Sequence, residues 1–232
     1  MIQNFRELMD NNPTESSLKL VYRYLYREII SLSMTPGAKI NHTKIANDLD
    51  VSRSTVRDAV LMLVKANLVE QLPNQGFCIS HLNKKEMSDL YTTRKIIESG
   101  AAKILCETIT KPQIEYFNSV LFDMEKAIKE NDFETFAQLD CAFHKSIVEF
   151  CGIQYIISMY NSIADLIIRY IAFTAYTPQN TKPLTPIMLR HHKMIVTSFE
   201  YGMTENVVNL IEKHFNDAEK SLLHPEYHLS FK

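Results

Sequence analysis

The sequence is poor in the residues that interrupt helices. Its 232 residues include only 5 Gly and 8 Pro, which favours long helices over many tight turns. It also lacks an apolar run long enough to span a bilayer, because the longest candidate, Ile163 to Tyr176, is interrupted by Asp165 and Arg169. The first ten residues do not have the basic and then apolar layout of a signal peptide. We therefore expect a cytoplasmic protein with no membrane partner.

Cysteine is scarce and shows no CxxC pair. The 4 cysteines stand inside apolar patterns, which predicts buried thiols in a reducing compartment rather than disulfides or a zinc finger. The 46% of hydrophobic residues are enough to build full cores. A chain of this length forms one large or two small domains.

An excess of positive charge is missing as well. The whole chain has a net charge of −2, and residues 1–80 hold nine Lys and Arg against eight Asp and Glu. Bulk charge therefore does not indicate a nucleic-acid partner. Any binding to DNA must depend on where a few basic side chains are placed.

A helix-turn-helix pattern lies in the first third of the chain. Asn41 can cap one short helix and Ser52 can cap a second, with a tight turn between them. Apolar residues at helical spacing give both helices a buried face: Ile45, Ala46, Leu49, Val56, Val60, Leu63 and Val64. The second helix places Arg53 and Arg57 four residues apart on its outward side. A recognition helix presents its first residues to DNA in this way.

A hairpin pattern follows the second helix. Two short apolar segments, 68–72 and 77–79, are separated by Pro73-Asn74-Gln75-Gly76. A linker with Asn and Gly between such segments indicates a β-hairpin. A helix-turn-helix followed by a hairpin is a winged helix, whose hairpin tip would contact a neighbouring groove or phosphate.

This region resembles the DNA-binding domain of the GntR family of bacterial transcription regulators. The resemblance is carried by Pro36-Gly37, Ile45-Ala46, Val51-Ser52-Arg53, Val56-Arg57-Asp58-Ala59, Leu63, Leu68-Val69 and Gly76. It implies that a double-stranded DNA operator is contacted by Arg53, Arg57, Thr43, Ser52, Ser54, Thr55, Gln75 and Gly76. The sequence departs from the family in three places. The family usually has Gly where Asp50 stands and often has Pro where Thr55 stands. It often has a basic wing residue where Asn74 and Gln75 stand, so we expect weaker wing contacts.

The rest of the chain predicts helices. Residues 1–14 are a loose arm or a short helix, and a capped helix then runs to about residue 33. A domain boundary near His81 divides a winged-helix domain, 1–80, from a helical domain, 84–232. Six antiparallel helices in the second part predict an all-α bundle, so the fold class is mainly α. The first of them should turn five apolar residues inward: Met87, Leu90, Ile96, Ile97 and Ala101.

Four metal-ligating side chains fall on three of these helices. Asp140 and His144 are four residues apart and share one face, while His192 and His214 are central in the fifth and sixth helices. One carboxylate and three imidazoles would suit a first-row divalent metal. The alternative is that these residues are surface groups or satisfied polar groups of the core.

The helical part resembles the FCD ligand-binding domain, which accompanies the GntR module in the FadR subfamily. The matching segments are Leu90 to Glu98, Leu139 to His144, His192 to Ile195 and Ile211 to His214. The resemblance implies a divalent metal, commonly zinc or nickel, at Asp140, His144, His192 and His214. It also implies an effector pocket at Arg94 that takes a small carboxylate. The alternative for Arg94 is an ion pair with Glu98, four residues further on.

The combined patterns favour a ligand-responsive transcriptional regulator. We expect a homodimer on a pseudo-palindromic operator, with repression as the commoner mode of the family. One alternative is a metal-dependent hydrolase or isomerase that uses the Asp/His site, for which Glu98 is the only candidate base. Another is a regulator for which the metal ion itself is the signal.

Overall fold

The computed structural model describes residues 2–73, 75–175 and 185–223. The chain divides into two compact units, Met1–Leu82 and Asn83–Lys232. The first unit contains four helices: α1 (Ile2–Asp10), α2 (Ser17–Ile30), α3 (His42–Leu49) and α4 (Arg53–Lys65). Its three strands are β1 (Lys39–Ile40), β2 (Val69–Leu72) and β3 (Gly76–Ile79). This mainly helical architecture with a small sheet confirms the predicted fold class.

The helix starts of the first unit follow from their capping residues. The side chain of Ser16 accepts the amide of Lys19, and that of Asn41 accepts the amide of Lys44. Such contacts satisfy one of the orphan N–H groups of a helix's first turn. The third helix, α3, ends at Asp50, whose backbone is left-handed with φ 54° and ψ 48°. This left-handed residue makes the tight turn that the sequence predicted.

The sheet has one strand more than the sequence predicted. The hairpin of β2 and β3 pairs Val69 with Ile79, and β1 joins its other edge by pairing Lys39 with Cys78. The strand order is β1-β3-β2. A strand of two residues has no alternation that sequence periodicity could detect. It fixes the chain before α3 to the hairpin.

The first helix belongs to the core of its unit. Phe5 and Leu8 are buried, and the ring of Phe5 meets the ring of Tyr24 edge to face with centroids 5.5 Å apart. The prediction of a loose arm or a short helix is therefore resolved in favour of the helix. Burial of two large apolar side chains outweighs the polar composition of the segment.

The second unit is a bundle of long helices. In the part of the chain that the structure describes they are α5 (Lys84–Thr108), α6 (Lys111–Glu130), α7 (Phe133–Phe150), α8 (Gln154–Ala175), α9 (Thr185–Glu200) and α10 (Thr204–Leu223). The first of them, α5, packs against α7, α8 and α10, while α6 packs against α7 and α9. Asn83 and Asp132 cap α5 and α7 as the sequence predicted. The loop predicted after α8 lies almost entirely outside the described residues.

Two details of the bundle matter below. The hydroxyl of Tyr170, near the end of α8, lies 3.2 Å from the Asn83 amide nitrogen and 2.5 Å from a Glu86 carboxylate oxygen. These contacts fix the start of α5 beside the end of α8, so the two helices are antiparallel. The second detail is a correction: Ile96, predicted to point inward, is 70% exposed. Its neighbour Ile97 takes the buried position, because adjacent residues point about 100° apart around a helix.

No helix in the described ranges is both long enough and apolar enough to cross a membrane.

Candidate metal centre and nucleic-acid interface

Asp140, His144, His192 and His214 converge in the bundle. Their ligand atoms all lie within 4.8 Å of one another. His144 Nε2 is 3.1 Å from His214 Nε2 and 3.2 Å from His192 Nε2. Asp140 Oδ1 is 3.4 Å from His192 Nε2 and 3.9 Å from His144 Nε2. The three helices α7, α9 and α10 therefore bring together the residues that the sequence singled out.

The donor set fits a divalent transition metal. A zinc ion bonded to nitrogen at about 2.0–2.1 Å keeps its nitrogen ligands about 3.0–3.4 Å apart, which is the spacing of these Nε2 atoms. Burial holds the pKa of His192 and the pKa of His214 well below the usual value, so both rings are neutral at pH 7. Neutral imidazoles are the form that binds a metal. That these four residues hold an ion stays a prediction.

Glu98 lies behind His144. Its Oε2 is 2.7 Å from His144 Nδ1, and its Oε1 accepts the Nε–H of Arg94 at 2.8 Å. Burial by itself would raise the pKa of Glu98, but Arg94 and His144 outweigh burial and hold the pKa below its usual value. The carboxylate is therefore charged and occupied on both oxygens. It is not available as the general base that the hydrolase alternative needs.

Arg94 forms the ion pair that the sequence left open as one alternative, and its place at an effector pocket stays a prediction. It pairs with Glu98, but this ion pair is buried and does not lie on the helix surface. Its Cζ also lies 4.6 Å from the centre of the Phe215 ring. Its Nη2 is buried and has no hydrogen-bonding partner among the described residues. A buried guanidinium nitrogen without an acceptor is costly, and a bound carboxylate would supply that acceptor.

Two further residues near Arg94 were not found from the sequence. Tyr160 and Cys141 are close enough to Arg94 and Asp140 to interact with them electrostatically. Burial raises the pKa of the Cys141 thiol to about 12, so it is a neutral thiol. Sequence spacing gave neither residue a role beside Arg94, because their approach depends on how α7 and α8 pack against α5.

His191 provides a contrast to its neighbour His192. It is also buried, but its Nε2 faces Asp217 at 3.8 Å and it is not part of the four-residue cluster. This agrees with the expectation that one residue of displacement around the helix takes the side chain away from a metal.

The first unit presents the other candidate surface. Thr43, Ser52, Arg53, Ser54, Arg57, Gln75 and Gly76 are exposed, and Thr55 is half-buried. Arg53 and Arg57 have no carboxylate within ion-pair distance in the described part of the chain. The Ser52 hydroxyl accepts the Thr55 amide at 3.0 Å, so it also caps α4. The guanidiniums of Arg53 and Arg57, on the exposed side of α4 near its start, are available for phosphates and base edges.

Two family models match the chain. The model described as bacterial regulatory proteins, gntR family, matches residues 19–79, and the FCD domain model matches residues 89–217. The chain belongs to the GntR family. It is a transcriptional regulator that joins the GntR helix-turn-helix module to an FCD domain, as in the FadR subfamily, and it is not an enzyme.

Relatives of this GntR-family chain span nearly its whole length. The uncharacterized HTH-type transcriptional regulator YdhC of Bacillus subtilis is 26% identical over 92% of this chain and 94% of the relative. The HTH-type transcriptional repressor RspR of Escherichia coli is 22% identical over 91% of each chain. The crystal structure of a putative GntR regulator from Rhodococcus covers 90% of this chain and 98% of its own, with a TM-score of 0.74 at 21% identity. That structural likeness concerns the fold.

Proposed function

We propose that this regulator is a repressor whose bundle binds a divalent transition metal, with zinc or nickel best suited, and a small carboxylate effector. Asp140, His144, His192 and His214 would hold the ion. One observation carries the proposal: His144 Nε2 lies 3.1–3.2 Å from the Nε2 atoms of His192 and His214, beside a buried guanidinium that has one nitrogen without a partner among the described residues. RspR of Escherichia coli, which is similar to this chain, is named a transcriptional repressor, and this supports repression as the direction of regulation.

The effector would be recognised by charge at two points. The Nη2 of Arg94 donates to a carboxylate oxygen, and the guanidinium stays in place because Glu98 and Phe215 hold its other parts. The bound metal supplies a Lewis acid that accepts a second oxygen from the effector. Recognition at two points favours small acids that carry a second oxygen close to the carboxylate.

DNA reading would be assigned to the first unit. Arg53 and Arg57 would contact base edges and phosphates, with Thr43, Ser54 and Thr55 near the backbone, and with Ser52 contributing mainly as a cap. Gln75 and Gly76 in the wing would add weak contacts because the wing carries no basic residue among these positions. The two domains would then have separate functions: residues 1–80 would bind DNA, and residues 84–232 would bind the ligand.

We further propose a homodimer formed through the outward face of α5 and α8. A groove of about 360 Å³ on this face is lined by Leu90, Thr93, Ile163 and Leu166 among others. One turn further along the same antiparallel pair stand Ile96 and Met159, both exposed. Exposed large apolar side chains beside a groove that is also lined by Lys85, Glu86 and Asp89 suit a subunit contact with an apolar centre and a polar rim. Two copies would place two recognition helices on a two-fold symmetric operator.

The metal proposal is tested by thermal unfolding of chelator-treated protein. Adding zinc or nickel ions should raise the melting temperature, because a ligand that binds only the folded state stabilises it. His192→Gln should abolish this rise, whereas His191→Gln, a change at an equally buried neighbour outside the cluster, should preserve it. Equal responses of the two variants would contradict the proposed ligand set.

The sensor proposal needs two further measurements. A panel of small carboxylates should raise the melting temperature further, but only in metal-loaded protein. Duplexes selected from a random pool should bind the protein, and the effective carboxylate should change that affinity. If metal addition alone switches DNA binding and no carboxylate has an effect, the ion is the signal and the carboxylate part of the proposal is wrong.

A further inference from the structure

The three imidazoles of the cluster differ in the hydrogen-bonding partner of Nδ1, the ring nitrogen that points away from the cluster. His144 Nδ1 contacts the Glu98 carboxylate at 2.7 Å, in a place where both side chains are fully buried. The Nδ1 atoms of His192 and His214 are also buried, but they have no hydrogen-bonding partner among the described residues. One ring is therefore fixed by a carboxylate, and the other two rings are not.

The contact with Glu98 determines where His144 carries its proton. A carboxylate held by Arg94 can only accept a hydrogen bond, so His144 must donate from Nδ1. The Nε2 atom then bears a lone pair that faces the centre of the cluster. A partner behind a ligating histidine commonly fixes its tautomer and orientation in this way.

That lone pair faces the other two ligating nitrogens. His192 Nε2 and His214 Nε2 lie 3.2 Å and 3.1 Å from His144 Nε2, a spacing that suits nitrogen ligands of one shared metal ion. Among the described residues, no group accepts from or donates to the Nδ1 atoms of His192 and His214, so no carboxylate fixes the tautomer of either ring.

We propose that Glu98 is a positioning residue that fixes His144 as the Nδ1–H tautomer and so presents its Nε2 lone pair to a metal. The assignment of Glu98 rests on contacts within the protein, and its effect on metal affinity rests on the proposed metal site. The consequence is a graded site, in which His144 is oriented before a metal binds and the other two rings are not.

The spectroscopic test uses the full chain with ¹⁵N-labelled histidine. In chelator-treated protein, the ring of His144 should be protonated at Nδ1. It should keep this tautomer when zinc is added. Protonation of His144 at Nε2 in the wild-type chain would overturn the proposal.

The affinity test compares zinc binding in three variants. In Glu98→Gln, the amide oxygen should turn to Arg94 and the amide N–H₂ to His144, which forces the wrong tautomer and weakens zinc binding about 10- to 100-fold. Asp217→Asn is the matched control: it removes a carboxylate of the same region that faces His191 and not a ligand, so the affinity should not change.

A third variant separates positioning from simple neutralisation of charge. Glu98→Gln leaves Arg94 buried without a charged partner, which destabilises the fold by itself. The double variant Arg94→Met/Glu98→Leu has no such charge, and zinc binding should still be weakened to a similar extent. If its zinc affinity equals that of the wild type, Glu98 only neutralises Arg94 and the proposal is wrong. If the wild-type chain binds no zinc, the proposed function fails, while the tautomer of His144 still tests the assignment of Glu98.

Discussion

Arg94 donates its Nε–H to Glu98 at 2.8 Å, one helical turn away, and both side chains are buried. The two residues form an ion pair that leaves one guanidinium nitrogen, Nη2, without a partner among the described residues. An arginine used only for structure would have its donors satisfied at this depth. In the proposed sensor, the pair would therefore connect the carboxylate-binding nitrogen of Arg94 to Glu98, the residue in contact with His144.

Arg94→Lys should reduce the response to carboxylates. Lysine keeps the positive charge beside Glu98 but lacks the second nitrogen of the planar fork. A hydrogen bond to a charged group contributes about 1.5–3 kcal/mol, so affinity for a small carboxylate should fall by roughly 10- to 100-fold. Calorimetric titration of metal-loaded protein measures this change. Lys95→Gln, which removes the adjacent cation that contacts Asn216, is the control and should leave carboxylate affinity unchanged.

Arg53→Ala and Arg57→Ala should each weaken operator binding. Loss of a base contact costs about 1–3 kcal/mol and relaxes specificity at one position, whereas loss of a phosphate contact weakens binding to all sequences and lowers its salt dependence. Fluorescence anisotropy at several salt concentrations distinguishes the two roles. Lys65→Ala serves as the control, since this exposed cation is at the other end of α4, about 18 Å along the helix. Binding by the Arg53/Arg57 double variant with wild-type specificity would contradict the proposed interface.

Ile96→Lys should convert the proposed dimer into a monomer. It places a charge in the centre of the proposed contact on α5 and α8, where burying it without a partner is unfavourable. Light scattering across a range of protein concentrations reports the mass. Phe122→Lys is matched in chemistry and exposure, because Phe122 is 72% exposed on α6, and this variant should remain dimeric. Dissociation in the second variant but not the first would move the contact to α6.

Gly37→Ala should destabilise the first unit more than Gly76→Ala. Both glycines have positive φ, 79° and 84°, so each alanine variant has a strained backbone that costs about 1–2 kcal/mol. At Gly37 the new methyl group would also meet the ring of His81, which adds about 1–3 kcal/mol of overpacking, whereas nothing lies within 4 Å at Gly76. Denaturant unfolding measures the difference. Replacing His81 with alanine in the Gly37→Ala background should restore the part of the free energy of unfolding that the clash with the His81 ring removes.

The local structure was largely predictable from the sequence. Helix starts follow from Asn41, Ser52, Asn83 and Asp132, because a capping contact involves residues only three positions apart. The hairpin likewise follows from its linker. Sequence spacing also indicated that Asp140 and His144 share a face of one helix.

Long-range relationships were not predictable in the same way. Burial of Phe5 and Leu8 depends on a partner surface from α2 and α3, which no pattern in the first ten residues specifies. For the same reason, Ile96 and Ile97 could not be told apart by hydrophobicity. The sequence indicates Glu98 as an ion-pair partner of Arg94 or as the base of the hydrolase alternative. Its contact with His144, which is 46 positions away, needed the packing of α5 on α7.

The hydroxyl of Tyr170 has a consequence for signalling. It holds the amide of Asn83, the first residue of the second unit, to the last turns of α8. The backbone at Asn83, where the chain enters the bundle, is therefore held in place by α8. A ligand that displaced α8 would therefore move the backbone at Asn83 directly. Even a small shift of α8 would reach the peptide between the proposed ligand-binding unit and the proposed DNA-binding unit.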